Sequence, residues 1–269
     1  MNNDELTIFV SSPDSYSDVF LSFYNTYLYF SKPNNLKFYL STQCNKYDNL
    51  SGIEVFNTNN PNDTWTERAI FGLNKIESKY VLLICDDMII KKEIDYLLLE
   101  EIVNEMEQYS IMFCGLRNRF NGKKLYKKSK IHLVKRNKAY SRNLQIGIYN
   151  RKYLLDVLGD GSKSPWKIEL EWLDEACKSK NIYFDDICST KTKPIECVNG
   201  VQKGMWFKSS YDYLKKKGFL VEHNRNTISR FKEFRGTFFR ILGKIIPAKY
   251  RPGFKRFFKK IGIKFYSDK

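Results

Sequence analysis

The chain has 269 residues, 42% of them hydrophobic and 16% aromatic, a composition that supports a folded core and excludes a polar, disordered chain. Its 46 Lys/Arg against 30 Asp/Glu leave a net charge of +16, which calls for an anionic partner: nucleic acid, a membrane surface or a phosphorylated substrate. Two histidines, and six cysteines without a C-x-x-C pair, leave little material for a zinc site, a disulfide framework or a Ser-His-Asp triad.

The N-terminal Met-Asn-Asn-Asp-Glu lacks the basic and apolar regions of a signal peptide. The longest uncharged run, 19–31, is too short and too polar to span a bilayer. Leu6–Val10 reads as the first strand, and Ser11-Ser12-Pro13-Asp14 turns at its carboxyl end. Tyr16, Phe20, Phe23, Tyr27 and Phe30 then recur at helical spacing, and Leu36–Leu40 and Gly52–Phe56 read as two further strands. Thr64-Trp65-Thr66-Glu67 is a capping-box start for a helix whose apolar face is Trp65, Ala69, Leu73 and Ile76.

Tyr80–Cys85 is an unbroken apolar run of strand length, the mark of a central strand covered on both faces. Together these elements alternate as in an α/β protein with a mostly parallel sheet. Asp86 and Asp87 end the run, and ligands of such sheets lie beyond the carboxyl ends of the strands. Adjacent carboxylates repel, so a divalent Mg²⁺ or Mn²⁺ carrying substrate phosphates is one way to keep both ionised. The plainer reading is that the pair opens a turn and caps the next helix. No G-x-G-x-x-G and no P-loop sequence occurs, so a bound nucleotide would need a metal instead of a glycine-rich cradle.

Glu93–Tyr109 reads as a helix and Ser110–Leu116 as a strand. Arg117–Arg142 is a basic tract, either a solvated hairpin with His132 on its apolar side or a flap over an anionic substrate. Asn143–Asn150 reads as a strand running into a short helix that stops at Gly159. Ser164-Pro165 begins another helix, with Trp166, Leu170, Leu173 and Cys177 on one face. Glu169 shares that face. A carboxylate in an apolar stripe needs a partner or a task, and a raised pKa would suit a general base; alternatively it reaches solvent from the stripe's edge. After strands at Ile182–Ile187 and Ile195–Val198, Asn199–Trp206 is a glycine-punctuated loop opening a helix. Its amides and Lys203 would hold a diphosphate, or the loop is a plain connector.

Five blocks carry a family resemblance: Trp65-Thr-Glu-Arg68, Tyr80 to Asp87, Leu144 to Leu155, Ser164 to Glu169, and Lys203 to Trp206. In this order, over roughly residues 6–220, the chain resembles bacterial GT-A-fold glycosyltransferases of cell-surface polysaccharide assembly, such as capsule, exopolysaccharide or O-antigen synthesis. The resemblance implies an α/β GT-A (Rossmann-like) mixed sheet with helices on both faces. It implies a nucleotide-sugar donor, a UDP-sugar first, with Mn²⁺ or Mg²⁺ and a saccharide acceptor. By it, Asp86 and Asp87 meet the metal and diphosphate, Asp86 with the ribose as well. Ser11, Asp14, Arg68 and Lys203 belong to the nucleotide side, Gln145 and Trp166 to the acceptor side, and Glu169 is the catalytic base of an inverting transfer. The acidic motif here is Asp86-Asp87-Met88 in place of a spaced D-x-D, and the only late histidine is His223.

The segment 225–269 holds 14 Lys/Arg and two acidic residues, so it carries +12 of the net +16. Ile228, Phe231, Phe234, Phe238, Ile241 and Ile245 recur at helical spacing with cations between them, and Phe254, Phe257, Phe258, Ile261 and Phe265 repeat the pattern. Basic amphipathic helices rich in Phe lie in membrane interfaces. A stacking platform for nucleic acid would interleave its aromatics with its cations, so no nucleic-acid partner is expected; a helical pair packed on the domain is the plainer alternative. The expected organisation is a catalytic unit, 1–222, followed by membrane-associating helices, 223–269. The expected function is metal-dependent sugar transfer to a lipid-linked saccharide by a cytoplasmic protein held peripherally at the anionic inner face of the cell membrane. The alternatives are a metal-dependent nucleotidyltransferase and a non-catalytic basic module for membrane or nucleic acid.

Overall fold

The computed structural model describes residues 5–32, 34, 36–117, 122–138, 140–221 and 224–233. His223 and, beyond 233, the expected tail helices lie outside the described residues.

Strand β1 (Leu6–Ser11) is buried throughout and forms the parallel core of the sheet with β2 (Phe38–Thr42), β3 (Glu54–Asn57) and β4 (Tyr80–Leu83). Beyond β4 the pattern changes. Strand β9 (Gly147–Asn150) inserts antiparallel between β4 and β6 (Phe113–Gly115), and β10 (Tyr183–Thr190) follows parallel to β6. An edge hairpin of β7 (Lys123–Lys124) and β8 (Ile131–Lys135) completes a nine-stranded sheet in the order β3-β2-β1-β4-β9-β6-β10-β8-β7 among the described residues. The mostly parallel sheet read from the alternation of elements is thereby corrected to the mixed sheet that the resemblance implied. The basic tract supplies its edge hairpin, whose turn is anchored by Glu105: that buried carboxylate accepts from Tyr126 Oη, Ser129 Oγ and Lys130 N at 3.0, 2.6 and 2.8 Å.

Alternation along the strands builds two cores. Ile8, Val10, Leu82 and Ile84 face α1 (Ser17–Phe30) and α3 (Tyr96–Gln108). Phe9, Val81 and Leu83 face α2 (Trp65–Leu73), α4 (Arg151–Leu158) and α5 (Pro165–Lys178). Helices thus cover both faces of an α/β sheet. The capping box at α2 forms as expected: Glu67 N donates to Thr64 Oγ1 at 3.2 Å, and Thr64 N donates to Glu67 Oε2 at 2.7 Å. The stripe expected on α5 is not the buried one. Ile168 and Ala176 face inward, while Trp166 and Leu170 are 75% and 60% exposed. Apolar residues occur on more than one side of this helix, and spacing alone does not say on which side the sheet lies.

Candidate active site at the carboxyl end of β4

The chain leaves β4 through a tight turn in which Met88 N donates to Cys85 O at 3.1 Å, placing Asp86 and Asp87 at its two central positions. Strand β5 (Met88–Ile90) then runs antiparallel to β11 (Cys197–Asn199). The turn reading and the ligand reading of the pair therefore coexist, but the pair caps no helix: Asp95 caps α3, accepting from Leu98 N at 2.9 Å.

Each carboxylate is held by a different loop. Ser12 Oγ, just past β1, donates to Asp86 Oδ2 at 2.6 Å. The Asp87 carboxylate accepts the backbone N–H of Val201, and Gly200 N donates to the Asp87 carbonyl at 2.6 Å. A Cβ on Gly200 would lie 3.0 Å from the Trp206 ring and 3.1 Å from that carbonyl, so a larger residue here would press the loop off the acidic turn by a few tenths of an ångström.

Both carboxyl groups keep some contact with solvent by area, yet the surrounding protein displaces most of their hydration. That burial, with the Asp87 charge adding to it, pushes Asp86 up to about 7 against the pull of Ser12, Arg68 and Arg225. Burial pushes Asp87 up to about 6 against the pull of Arg117. Three arginines thus face the pair without cancelling the cost of its negative charge.

Arg68, on α2, is 2% exposed; its NH1 donates to Asp63 O at 2.5 Å and its Nε has no partner among the described residues. Arg117 reaches from the end of β6, donating to Gln145 Oε1 at 2.9 Å and Asn199 Oδ1 at 2.8 Å. Arg225 grips Asp18 through Nε and NH2 at 2.7 and 2.9 Å and lies 4.2 Å over the Tyr16 ring. It is carried there by β14 (Thr227–Ile228), which pairs with β13 (Met205–Phe207).

Glu169 belongs to the same neighbourhood. Its Oε1 accepts from Leu144 N at 2.8 Å, and Leu144 O accepts from Cys85 Sγ at 3.5 Å. Burial pushes the Cys85 thiol well up, and the charges of Asp87, Asp86 and Glu169 add to it.

The other expected residues sort differently. Ser11 is buried and its Oγ donates to Trp65 O at 3.3 Å, tying β1 to α2; alternation turns it away from the crevice and leaves Ser12 to meet Asp86. Asp14 holds down the loop after β2, accepting from the amides of Gln43, Cys44 and Asn45 at 3.2, 2.9 and 3.3 Å. Gln145 lies beside Cys85 and Arg117, just before β9 begins. Trp166 is exposed on the first turn of α5.

Lys203 is not at a helix start. It forms the tip of a hairpin between β12 (Val201–Gln202) and β13, where Lys203 and Gly204 have φ of +51° and +73°, as a two-residue turn with both φ positive requires. Helix α6 (Lys208–Lys217) begins five residues later, because Gly204 turns the chain into the hairpin instead of opening a helix. Reading the sequence missed Ser12, Arg117 and Arg225. Strand parity would have singled out Ser12; nothing local marks the two arginines.

Among the described residues no group of three or more His, Cys, Asp or Glu could cage a metal ion. Two carboxylates do suit Mg²⁺ or Mn²⁺ that takes its remaining ligands from water and substrate phosphates. The imperfectly compensated charge of Asp86 and Asp87 fits such a cation, provided the phosphates arrive with it.

No protein-family model matches the chain, and no curated protein matches it in sequence. Among solved structures, TarS of S. aureus in complex with UDP is 14% identical, with a TM-score of 0.45 over 69% of this chain and 60% of that one. TarS with UDP-GlcNAc is 12% identical at a TM-score of 0.43 over 69% and 58%. An active-site mutant of LgtC is 11% identical at 0.35 over 67% and 68%. The chain spans about 60% of the length of the TarS fragment it matches. Likeness of this depth identifies no family.

Proposed function

We propose that this chain transfers a sugar from a nucleotide-sugar donor, a UDP-sugar first, to a saccharide acceptor. The observation that carries the reading is the Cys85–Met88 turn: two desolvated carboxylates beyond the central strand β4, beside β1, where the strand order β3-β2-β1-β4 reverses direction. Topological switch points of this kind are where α/β sheets open a crevice.

The residues divide the work. Asp86 and Asp87 would hold Mn²⁺ or Mg²⁺, which would supply neutralisation of the departing diphosphate. Arg68, buried behind Asp86, and Arg225, stacked on Tyr16, add positive charge on the same side. Glu169 is the candidate base for the acceptor hydroxyl; the Leu144 amide fixes one of its oxygens and so the orientation of the carboxylate. With one base opposite a metal-held leaving group, transfer would invert the anomeric centre.

No helix among the described residues is long and apolar enough to cross a membrane. We place the lipid-linked acceptor and the +12 tail at an anionic membrane surface, the tail's charge supporting that reading.

The test is a panel of nucleotide sugars assayed for Mn²⁺-dependent thermal stabilisation and for the nucleotide released. A UDP-sugar that stabilises the protein only with the metal and yields nucleoside diphosphate is expected. In a parallel reaction given a nucleoside triphosphate and a sugar phosphate, release of pyrophosphate would identify a nucleotidyltransferase instead, and a chain that ignores every nucleotide sugar is no transferase of this kind.

A further inference from the structure

Helix α1 ends at a surface that the candidate active site does not use. Leu28 and Tyr29, on its last turn, are 51% and 62% exposed. The Phe219 ring lies 5.0 Å from the Tyr29 ring, and Asn25 Nδ2 donates to Phe219 O at 3.1 Å, so the chain leaving α6 extends the same apolar face. Leu97, 76% exposed, stands on the first turn of α3, where Tyr96 Oη shares a hydrogen bond of 2.5 Å with Ser31 Oγ at the end of α1. Exposed apolar groups that stand singly are ordinary, whereas a contiguous set rimmed by polar residues marks an interaction site.

The rim of this face is positive. Lys215, Lys216 and Lys217 close α6, all three exposed, and none makes an ion pair among the described residues. Lys91 holds its Nζ 2.9 Å from the centroid of the Tyr213 ring, and burial lowers it to about 8 with no carboxylate to offset that cost. Cations in the last turn of a helix suit its dipole, which accounts for the lysines of α6 but not for Lys91 or for the apolar groups beside them.

We infer that this face, at the ends of α1 and α6, docks onto the anionic headgroups of a lipid bilayer. The inference rests on the membrane reading of the tail and extends it to the folded domain.

Two observations choose the occupant. The first is charge. A second copy of the chain, or this chain's own segment 225–269 with its 14 Lys/Arg, would set cations against cations. Anionic headgroups neutralise them, while Leu28, Tyr29 and Leu97 enter the boundary between headgroups and acyl chains. The second is where the tail begins. Glu233 Oε1 accepts from Ser209 N at 3.2 Å, and Arg230 NH2 donates to Asp212 Oδ2 at 2.7 Å, so residues 230–233 lie along α6. Ser209, Asp212 and Lys216 are spaced as one helical stripe, which puts the root of the basic tail on the side of α6 that carries Lys216. Stable attachment to a bilayer takes two signals. The tail is the stronger one, and the face fixes how the domain lies on the membrane.

The test is sedimentation of the full-length protein with vesicles of phosphatidylcholine and phosphatidylserine in equal parts, with pure phosphatidylcholine as the uncharged control. Each cation near an anionic surface is worth roughly fivefold in binding, so replacing Lys215, Lys216 and Lys217 together by alanine should weaken it about 10- to 100-fold. Replacing the same three by arginine should retain it. Removing three exposed lysines from the edge hairpin, Lys123, Lys124 and Lys127, controls for net charge and should change binding less than about threefold. Leu28→Ser removes an apolar group already half in water, so it should leave the melting temperature near that of the wild type and weaken binding about 3- to 10-fold. On the anionic vesicles, amides of residues 28–32 and 215–219 should gain protection from hydrogen exchange. Unchanged binding by both the alanine triple variant and Leu28→Ser overturns this inference and leaves the tail reading standing. A wild type that ignores the anionic vesicles loses both. A wild type that is a dimer without lipid, and a Leu28→Ser variant that is a monomer, would assign the face to a second copy and overturn the bilayer as its occupant.

Discussion

Asp86→Asn should make the metal-free protein more stable while removing its activity. Burial first, and the neighbouring Asp87 second, raise the Asp86 carboxyl to about 7, against about 3.9 in an unfolded chain. A raised carboxyl keeps its proton in the native state after the unfolded chain has released its own. This group therefore lowers stability progressively as pH rises from about 4 to about 7. Three units at about 1.4 kcal/mol each set a ceiling of about 4 kcal/mol above pH 7; part of it is shared with Asp87 and part is screened by the water that still reaches the pair, so about 3 kcal/mol is a working figure. Asparagine removes the charge and keeps an oxygen to accept from Ser12 Oγ, now at 2.6 Å. At 2–4 °C per kcal/mol for a domain of this size, the variant should melt roughly 6–12 °C higher at pH 8 in EDTA, with the gain shrinking towards zero near pH 4. The assay is calorimetry across pH 4–8 on both proteins. Mn²⁺ with a nucleoside diphosphate should raise the melting temperature of the wild type and leave the variant unmoved. A variant less stable than the wild type at pH 8, or a difference that does not vary with pH, would refute the electrostatic reasoning on which the site rests.

Asp87→Asn should reduce transfer at least 100-fold while the circular dichroism spectrum stays native; wild-type turnover would remove Asp87 from the metal set. Glu169→Gln keeps an oxygen for the Leu144 amide, so it should lower kcat about 100-fold or more with donor affinity unchanged; an equal loss of donor binding would make Glu169 a structural residue. Thr64→Ala breaks the capping box of the helix that carries Arg68 and should cost about 1 kcal/mol, a fall of roughly 2–4 °C in melting temperature. Truncation after Glu233 spares β14 and the Arg225–Asp18 pair. It should abolish sedimentation with anionic liposomes, and persistent binding would move the membrane contact into the folded domain.

Local chemistry was legible without coordinates. The unbroken run Tyr80–Cys85 marks a strand buried on both faces, Thr64 and Glu67 spell out a helix start, and two aspartates fall at the end of the central strand, because hydrophobic period and capping need only neighbours a few residues apart. What the sequence could not decide is which distant groups meet. Strand β9, whose residues lie 64 to 70 positions downstream of their partners in β4, turns a parallel sheet into a mixed one, and Arg225 closes on Asp18 across 207 residues through a two-residue strand. The choice of Ser12 over Ser11 hangs on strand parity, and the exposure of Trp166 on the side from which α5 meets the sheet. Such pairings are set by chain topology and by the filling of a shared core, which no window along the chain contains. Secondary structure and the placing of two aspartates at a strand end were therefore determined locally, whereas the arginines around that pair gather only once the sheet has closed.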